Sequence, residues 1–258
     1  MTTAANEDRR RVLITGAGGR IGTNFRREYD DRYALRLAER AGTEIRDAGD
    51  HEQMTFDIAN LDACRAACEG IDTVIHLAAD PSPRADFYGS LLDNNIKGVF
   101  NIFRAAKDAG CQRVIFASSI NAVSGYPEDT QITPTMPTRA PNLYGVSKAF
   151  GESIASYFAD TEGLSSICIR IGYYDAGNPN APVTTQRLST YTSPRDLNAL
   201  LSLAIDVQNI PFAIVHGVSA NRYQRLDLSA TRALLGYAPQ DDAFKIFGIN
   251  LPGEEERS

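Results

Sequence analysis

Metal-binding and disulfide-forming side chains are scarce and scattered. Three histidines (His51, His76, His216) and four cysteines (Cys64, Cys68, Cys111, Cys168) are spread over 258 residues, with no Cys-x-x-Cys pair and no Cys/His cluster. That spacing argues against a zinc-type ligand set or a disulfide framework and for structural thiols, two on one helix and two, Cys111 and Cys168, in strand-like apolar runs. No metal is expected. His76, behind an apolar run, reads as a structural histidine. A basic excess is also missing: 26 Lys and Arg face 32 Asp and Glu, a net charge of −6, with a pI near 5.2. Neither nucleic acid nor an anionic membrane is an expected partner. Arg9–Arg11 is a short solvated lead-in to a strand. No apolar run approaches the roughly 20 residues of a membrane span, and the polar start "MTTAANEDRRR" has no signal-peptide h-region. A cytoplasmic location is the expectation.

What is present is alternation. Apolar runs rich in Val and Ile, "RVLIT", "ALRLA", "TVIHLA", "RVIFAS", "SICIRI" and "FAIVHG", are separated by helical stretches such as "LDACRAACEG", "LLDNNIKGVFNIFRAAKDAG" and "LYGVSKAFGESIASYFADTEG". Nearly continuous apolar strands in β-α order predict a parallel sheet covered by helices on both faces, an α/β doubly wound fold. Two segments interrupt the pattern. Residues 121–141, with four prolines, and 172–194, rich in Pro, Asn and Gly, each follow a strand. In such sheets the loops at the carboxyl ends of strands build the ligand crevice, so both segments are expected to wall a substrate.

The first chemical motif is "RVLITGAGGRIG". Gly16, Gly19 and Gly22 follow a strand and open a helix, where bare backbone approaches a pyrophosphate and the helix N-terminus receives its charge. Glu39, 20 residues beyond Gly19 at the end of the second strand, is placed to accept the adenosine ribose hydroxyls and to repel a 2′-phosphate. NAD rather than NADP is expected, although Arg40 follows. Asp57, in "FDIAN" after the third strand, is expected near adenine.

The second motif is "NLYGVSK". Pro141 and Asn142 suit a helix start, and Tyr144 and Lys148 then project from one face, a turn apart. A free phenol, pKa about 10, is a poor base at neutral pH. An adjacent ammonium and an oxidised nicotinamide are expected to lower it, a shift of about three units being worth roughly 4 kcal/mol. Ser118 and Ser119, one long loop earlier at a strand's carboxyl end, offer hydroxyls to the reacting oxygen.

Taken together, "TGAGGRIG", "DTVIHLAA", "NNIKGVFNIFRAA", "RVIFASS" and "YGVSKAFGE" resemble an extended short-chain dehydrogenase/reductase of the NAD-dependent epimerase/dehydratase type, over nearly the whole chain. "LRLAER", "IRIG", "RLSTY" and "LLGYAPQDD" resemble its uronate dehydrogenase branch, with NAD-dependent aldose and glucose-6-phosphate dehydrogenases. The resemblance implies a Rossmann fold with a small carboxyl-terminal substrate-binding portion. It implies a catalytic set of Ser119, Tyr144 and Lys148. For NAD it implies Gly16, Gly19, Arg20, Ile21, Gly22, Glu39, Asp57, Ile58, Leu77, Ala78, Ala79, Ser118 and Ile171, with Asn95 as a structural or relay residue. It implies pairing of subunits through helices near 87–109 and 142–162, hence a homodimer. For the substrate it points to Ser119, Tyr144, Ile120, Asn121, Tyr173 and Arg187. Ile120 and Asn121 replace the branch's Asn-His, and Tyr173 replaces a small polar residue. Arg187 matches an arginine that binds a substrate carboxylate, or else it bridges two loops.

The chain is thus expected to be one unit: roughly 9–171 a dinucleotide-binding core, 172–250 an intertwined substrate-binding portion, and 251–258 a frayed tail. The expected activity is NAD-dependent oxidation of a small sugar or sugar acid at its anomeric carbon to a lactone. An NAD-dependent epimerase or dehydratase, and a non-catalytic NAD-binding regulator, are the alternatives. A dehydratase's acid/base pair beside the serine has no counterpart in "SSINA".

Overall fold

The computed structural model describes residues 9–175 and 182–249. The expected tail 251–258, the first eight residues and part of the second irregular segment lie outside the described residues. In chain order the core runs β1 (Arg11–Thr15), α1 (Arg20–Tyr29), β2 (Ala34–Glu39), β3 (Glu52–Thr55), α2 (Leu61–Cys68), β4 (Thr73–His76), a wide π-type helix (Phe87–Lys97), α3 (Gly98–Asp108), β5 (Arg113–Ser119), a 3₁₀ turn (Ile120–Ala122), α4 (Leu143–Asp160) and β6 (Ser165–Ile171). The remainder adds β7 (Tyr173–Tyr174), α5 (Thr185–Thr190), β8 (Tyr191–Thr192), α6 (Pro194–Asp206), β9 (Phe212–Gly217), α7 (Ser229–Leu235) and α8 (Ala243–Ile246).

Seven of these strands form one sheet in the order β3-β2-β1-β4-β5-β6-β9, every pair parallel. The sequence explains both faces. Strand side chains alternate, so Val12, Ile14, Ile115, Ile167 and Ile169 pack on one side, with Phe25 of α1 and Leu197 and Leu200 of α6. Leu13, Val114, Phe116 and Cys168 point to the other, against α2, α3 and α4 through Cys64, Ile102, Phe103 and Phe158. Each fully buried Leu, Ile, Val or Phe contributes about 1.5–3 kcal/mol.

Helix boundaries also follow local chemistry. Asn60, Asn142, Thr184 and Ser193 cap α2, α4, α5 and α6 by accepting a backbone N–H, and Pro194 occupies the first turn of α6. Among the described residues of the second irregular segment, the Thr184 cap starts α5 and Tyr173–Tyr174 pairs in parallel with Tyr191–Thr192. The long helix expected near 87–109 is two pieces, wide up to Lys97 and α-helical after it. Cys111 sits in the turn ahead of β5 rather than in a strand, and all four cysteines are free and buried. No helix among the described residues is long and apolar enough to cross a membrane.

Strand order reverses between β1 and β4. A crevice therefore opens beyond their carboxyl ends, at Thr15–Gly16 and His76–Leu77.

Candidate active site

Gly16 leaves β1 at φ 73°, in the left-handed region, and an added Cβ would come 2.8 Å from the backbone nitrogen of Ala78. Only glycine satisfies both conditions. At Gly22 a Cβ would lie 2.8 Å from Cα of Ala17, so α1 packs directly on the turn. Gly19 begins α1 with no side-chain cap, which leaves the first amides of the helix to an anionic ligand. Arg20 is exposed and Ile21 half-buried at this start, and a cavity of about 660 Å³ adjoins it, lined by Gly18, Gly19, Arg20, Asn24, Thr43 and Glu44.

The Glu39 carboxylate is fixed before any ligand arrives. Its Oε2 accepts the Gly18 N–H at 3.1 Å and its Oε1 accepts the Arg40 N–H at 3.0 Å. An acceptor thus stands beside the glycine turn that follows β1. Asp57 is exposed and accepts the Ala59 N–H. Ile58 is buried, and its side chain packs against Gly98. Leu77, Ala78 and Ala79 are half-buried just past β4, beside Gly16. This cradle, the uncapped helix start and the anchored carboxylate fit a dinucleotide.

Two residues expected to hold the cofactor use their side chains elsewhere. Asn95 accepts the Asp80 N–H and donates to the Asp80 carbonyl and to Ser147 Oγ, tying the segment after β4 to α4. Ser118 Oγ donates to Glu152 Oε1 at 2.6 Å. Alternation along β5 turns Ser118 and Ser119 to opposite faces, so only one of the pair meets the crevice. Ile171 ends β6 in register with Ser119.

Ser119, Tyr144 and Lys148 do converge. Ser119 Oγ accepts the Asn121 N–H at 3.1 Å and lies within hydrogen-bond reach of the Tyr144 phenol. Asn142 caps α4 and also donates to the Asn121 carboxamide oxygen at 3.0 Å, binding the serine turn to the start of the tyrosine helix. Ile120 belongs to the core. Lys148 Nζ donates to the Ala117 carbonyl at 2.8 Å and lies 5.7 Å from the Tyr144 ring centroid.

Burial pushes the Tyr144 phenol above its ordinary value, opposed by the Ser119 hydrogen bond. Lys148, buried, is itself pushed down to about 8. In the protein alone the ammonium bonds the Ala117 carbonyl and lies 4.9 Å from the Phe116 ring centroid, and it does not offset the burial of the phenol. His76 lies buried nearby, bonded to Thr15 Oγ1 at 2.8 Å, and burial pushes it down to about 3, so the ring is neutral.

Of the residues expected at the substrate, Tyr173 is exposed, and Arg187 is buried in an ion pair with Asp175. The sequence reading missed Asp175 and Glu152. Glu152 had a visible signal, one turn beyond Lys148 in "YGVSKAFGE". Asp175 had none, since its partner lies on a different element.

Comparison with known proteins agrees with this geometry. Residues 12–180 match the NAD dependent epimerase/dehydratase family. The chain is 37% identical to the NAD-dependent glucose-6-phosphate dehydrogenase of Haloferax volcanii, over 90% of this chain and 94% of that one. It is 36% identical to the uronate dehydrogenase of Pseudomonas syringae pv. tomato, over 90% and 82%. A mutant uronate dehydrogenase from Agrobacterium tumefaciens, solved as a complex with NAD, superimposes with a TM-score of 0.83 at 31% identity, covering 95% of this chain and 91% of that one. With a glycine cradle and an anchored acid for the dinucleotide, and that match across most of its length, the chain belongs to the NAD dependent epimerase/dehydratase family and takes NAD as its cofactor.

Proposed function

We propose that the protein oxidises the anomeric hydroxyl of a small sugar or sugar acid to a lactone, with Tyr144 as the base. The convergence of Ser119, Tyr144 and Lys148 beside the dinucleotide cradle carries this reading, and the sugar and sugar-acid dehydrogenases among its relatives support it. Gly16, Gly19, Arg20, Ile21, Gly22, Glu39, Asp57 and the 77–79 segment hold NAD, which when bound accepts the hydride of the carbinol carbon. Tyr144 takes the hydroxyl proton as the carbonyl forms. Ser119, its Oγ already held by the Asn121 amide, orients the reacting oxygen. Lys148, whose ammonium bonds the Ala117 carbonyl, would hold the ribose of bound NAD. Ser118 and Asn95 act behind this set, as supports for β5 and α4. Residues 9–171 form the dinucleotide core, and 172–250 the substrate portion.

The enzyme works in the cytoplasm as a homodimer. Four free buried thiols suit a reducing compartment. Phe100 on α3 and Leu143, Val146 and Tyr157 on α4 leave an exposed apolar stripe for a second copy.

A screen of aldoses, uronates and sugar phosphates for NADH absorbance tests the reaction. On the substrate found, Tyr144→Phe is expected to cut turnover by about 10²–10⁴-fold with NAD affinity nearly unchanged. Survival of NADH formation in that variant overturns the mechanism.

A further inference from the structure

Asp80 follows the Leu77–Ala79 segment beyond the carboxyl end of β4, half-exposed and held at both backbone and side chain. Its N–H donates to Asn95 Oδ1 at 2.8 Å, and its carbonyl accepts from Asn95 Nδ2 at 3.1 Å. Its carboxylate accepts the Ser82 N–H at 2.9 Å through Oδ1 and the Ser90 hydroxyl at 2.5 Å through Oδ2. Ser90 and Asn95 both reach it because the helix Phe87–Lys97 is wide. Five residues apart in an α-helix, they would point about 140° away from each other; bonding from i to i+5 sets them on one side. Asn95 also donates to Ser147 Oγ at 3.0 Å, and Ser147 Oγ donates to the Tyr144 carbonyl at 2.7 Å. Asp80 is thus fixed relative to Tyr144 through two intervening side chains. Both donors to its carboxylate are neutral, and Asp80 belongs to none of the ion pairs among the described residues. Its charge is felt at the phenol: burial raises Tyr144, the Ser119 hydrogen bond lowers it, and the Asp80 carboxylate raises it further.

We infer that Asp80 is a specificity residue that makes this crevice favour an uncharged sugar over a sugar acid or sugar phosphate; this rests on the sugar dehydrogenase reading above. A hydroxyl that gives its proton to Tyr144 sits within hydrogen-bond reach of the phenol. A small sugar held there lies in the field of a carboxylate that already acts on that phenol. A carboxylate or phosphate on the sugar adds a like charge, and in a partly dry cleft two such charges repel by an amount worth about tenfold in binding. A neutral ring adds no charge, and its hydroxyls can donate to the lone pairs that Asp80 has left. Ser119, Ile120, Asn121 and Tyr173 bring no cation to offset Asp80. Arg187 is ion-paired with Asp175, and the Lys148 ammonium bonds the Ala117 carbonyl.

The test compares kcat/KM at saturating NAD for matched sugars, glucose with glucuronate and glucose 6-phosphate, and galactose with galacturonate, at low and high salt. In the natural chain the neutral sugar is expected to exceed its charged counterparts by about tenfold at low salt. Asp80→Asn keeps the shape and one acceptor oxygen but removes the charge. It is expected to move the charged-to-neutral ratio toward the charged sugar by about tenfold at low salt, mainly through KM, and by less as salt screens the natural carboxylate. Loss of a merely structural support would lower both sugars together and leave the ratio in place. Ser90→Ala, which frees Oδ2 but keeps the charge, should leave the ratio on the neutral side. Equal or better use of the charged sugar by the natural chain, or an unmoved ratio in a folded Asp80→Asn, overturns the inference. Should the Asn variant fail to fold, the natural chain's ratio and its change with salt decide alone. No NADH from any sugar overturns the dehydrogenase reading and this inference with it, whereas turnover that favours the charged sugar overturns only the inference.

Discussion

Tyr144 shows how far spacing alone carries an electrostatic argument. Four-residue spacing correctly puts Tyr144 and Lys148 on one helix face, yet the lysine nitrogen bonds the Ala117 carbonyl, 31 residues away in sequence. Protein groups alone hold the phenol above its ordinary value, with burial outweighing the Ser119 hydrogen bond. An ultraviolet difference titration of the nucleotide-free protein against Tyr144→Phe should therefore give a midpoint above the ordinary phenol value of about 10; one near neutrality would contradict the geometry. Lys148 has a folded pKa depressed from 10.5 to about 8. Between those values the unfolded chain binds more protons than the folded one, so this group's contribution to stability rises with pH across that window. Below it, the buried ammonium opposes folding. The position of Glu39 was legible in the sequence, because it depends only on ending the second strand beside the glycine turn.

Helix α4 does more than present Tyr144. Tyr144, Lys148 and Glu152 follow one another at intervals of a turn, and Glu152 receives Arg170 of β6 through two hydrogen bonds of 2.8 and 2.9 Å as well as Ser118 of β5. Arg170 continues to the Pro134 carbonyl at 3.3 Å, in the first irregular segment. Both partners of this ion pair are buried, so breaking it strands a charge. Glu152→Gln is expected to cost about 3–5 kcal/mol, measured by denaturant unfolding. Replacing both members, Glu152→Gln with Arg170→Met, should recover most of that loss. If the single change proves as mild as a surface substitution, the pair does not anchor the site. The sequence showed the helix, its Asn142 cap and its reactive face. It did not show that the face continues into a buried acid, because Glu at helical spacing is usually solvated.

For the molecule as a whole, the parallel sheet and its reversal between β1 and β4 bring the glycine turn, the serine and the tyrosine helix to one edge. The faces of α3 and α4 turned away from the sheet keep Phe100, Leu143, Val146 and Tyr157 exposed. Sedimentation should give twice the 28.1 kDa chain mass, and joint Phe100→Glu and Tyr157→Glu should yield a folded monomer. A natural chain that sediments as a monomer would remove the dimer. Strand runs, helix caps, the glycine turn and the Tyr–Lys spacing were readable in the chain because each is a local pattern, set by neighbours within a turn or a strand. The partners of Ser118, Lys148 and Arg187 were not. Each meets a group from another element across the folded core, at Glu152, Ala117 and Asp175. Charge and burial at those positions depend on which distant segments meet, and no spacing along the chain encodes that.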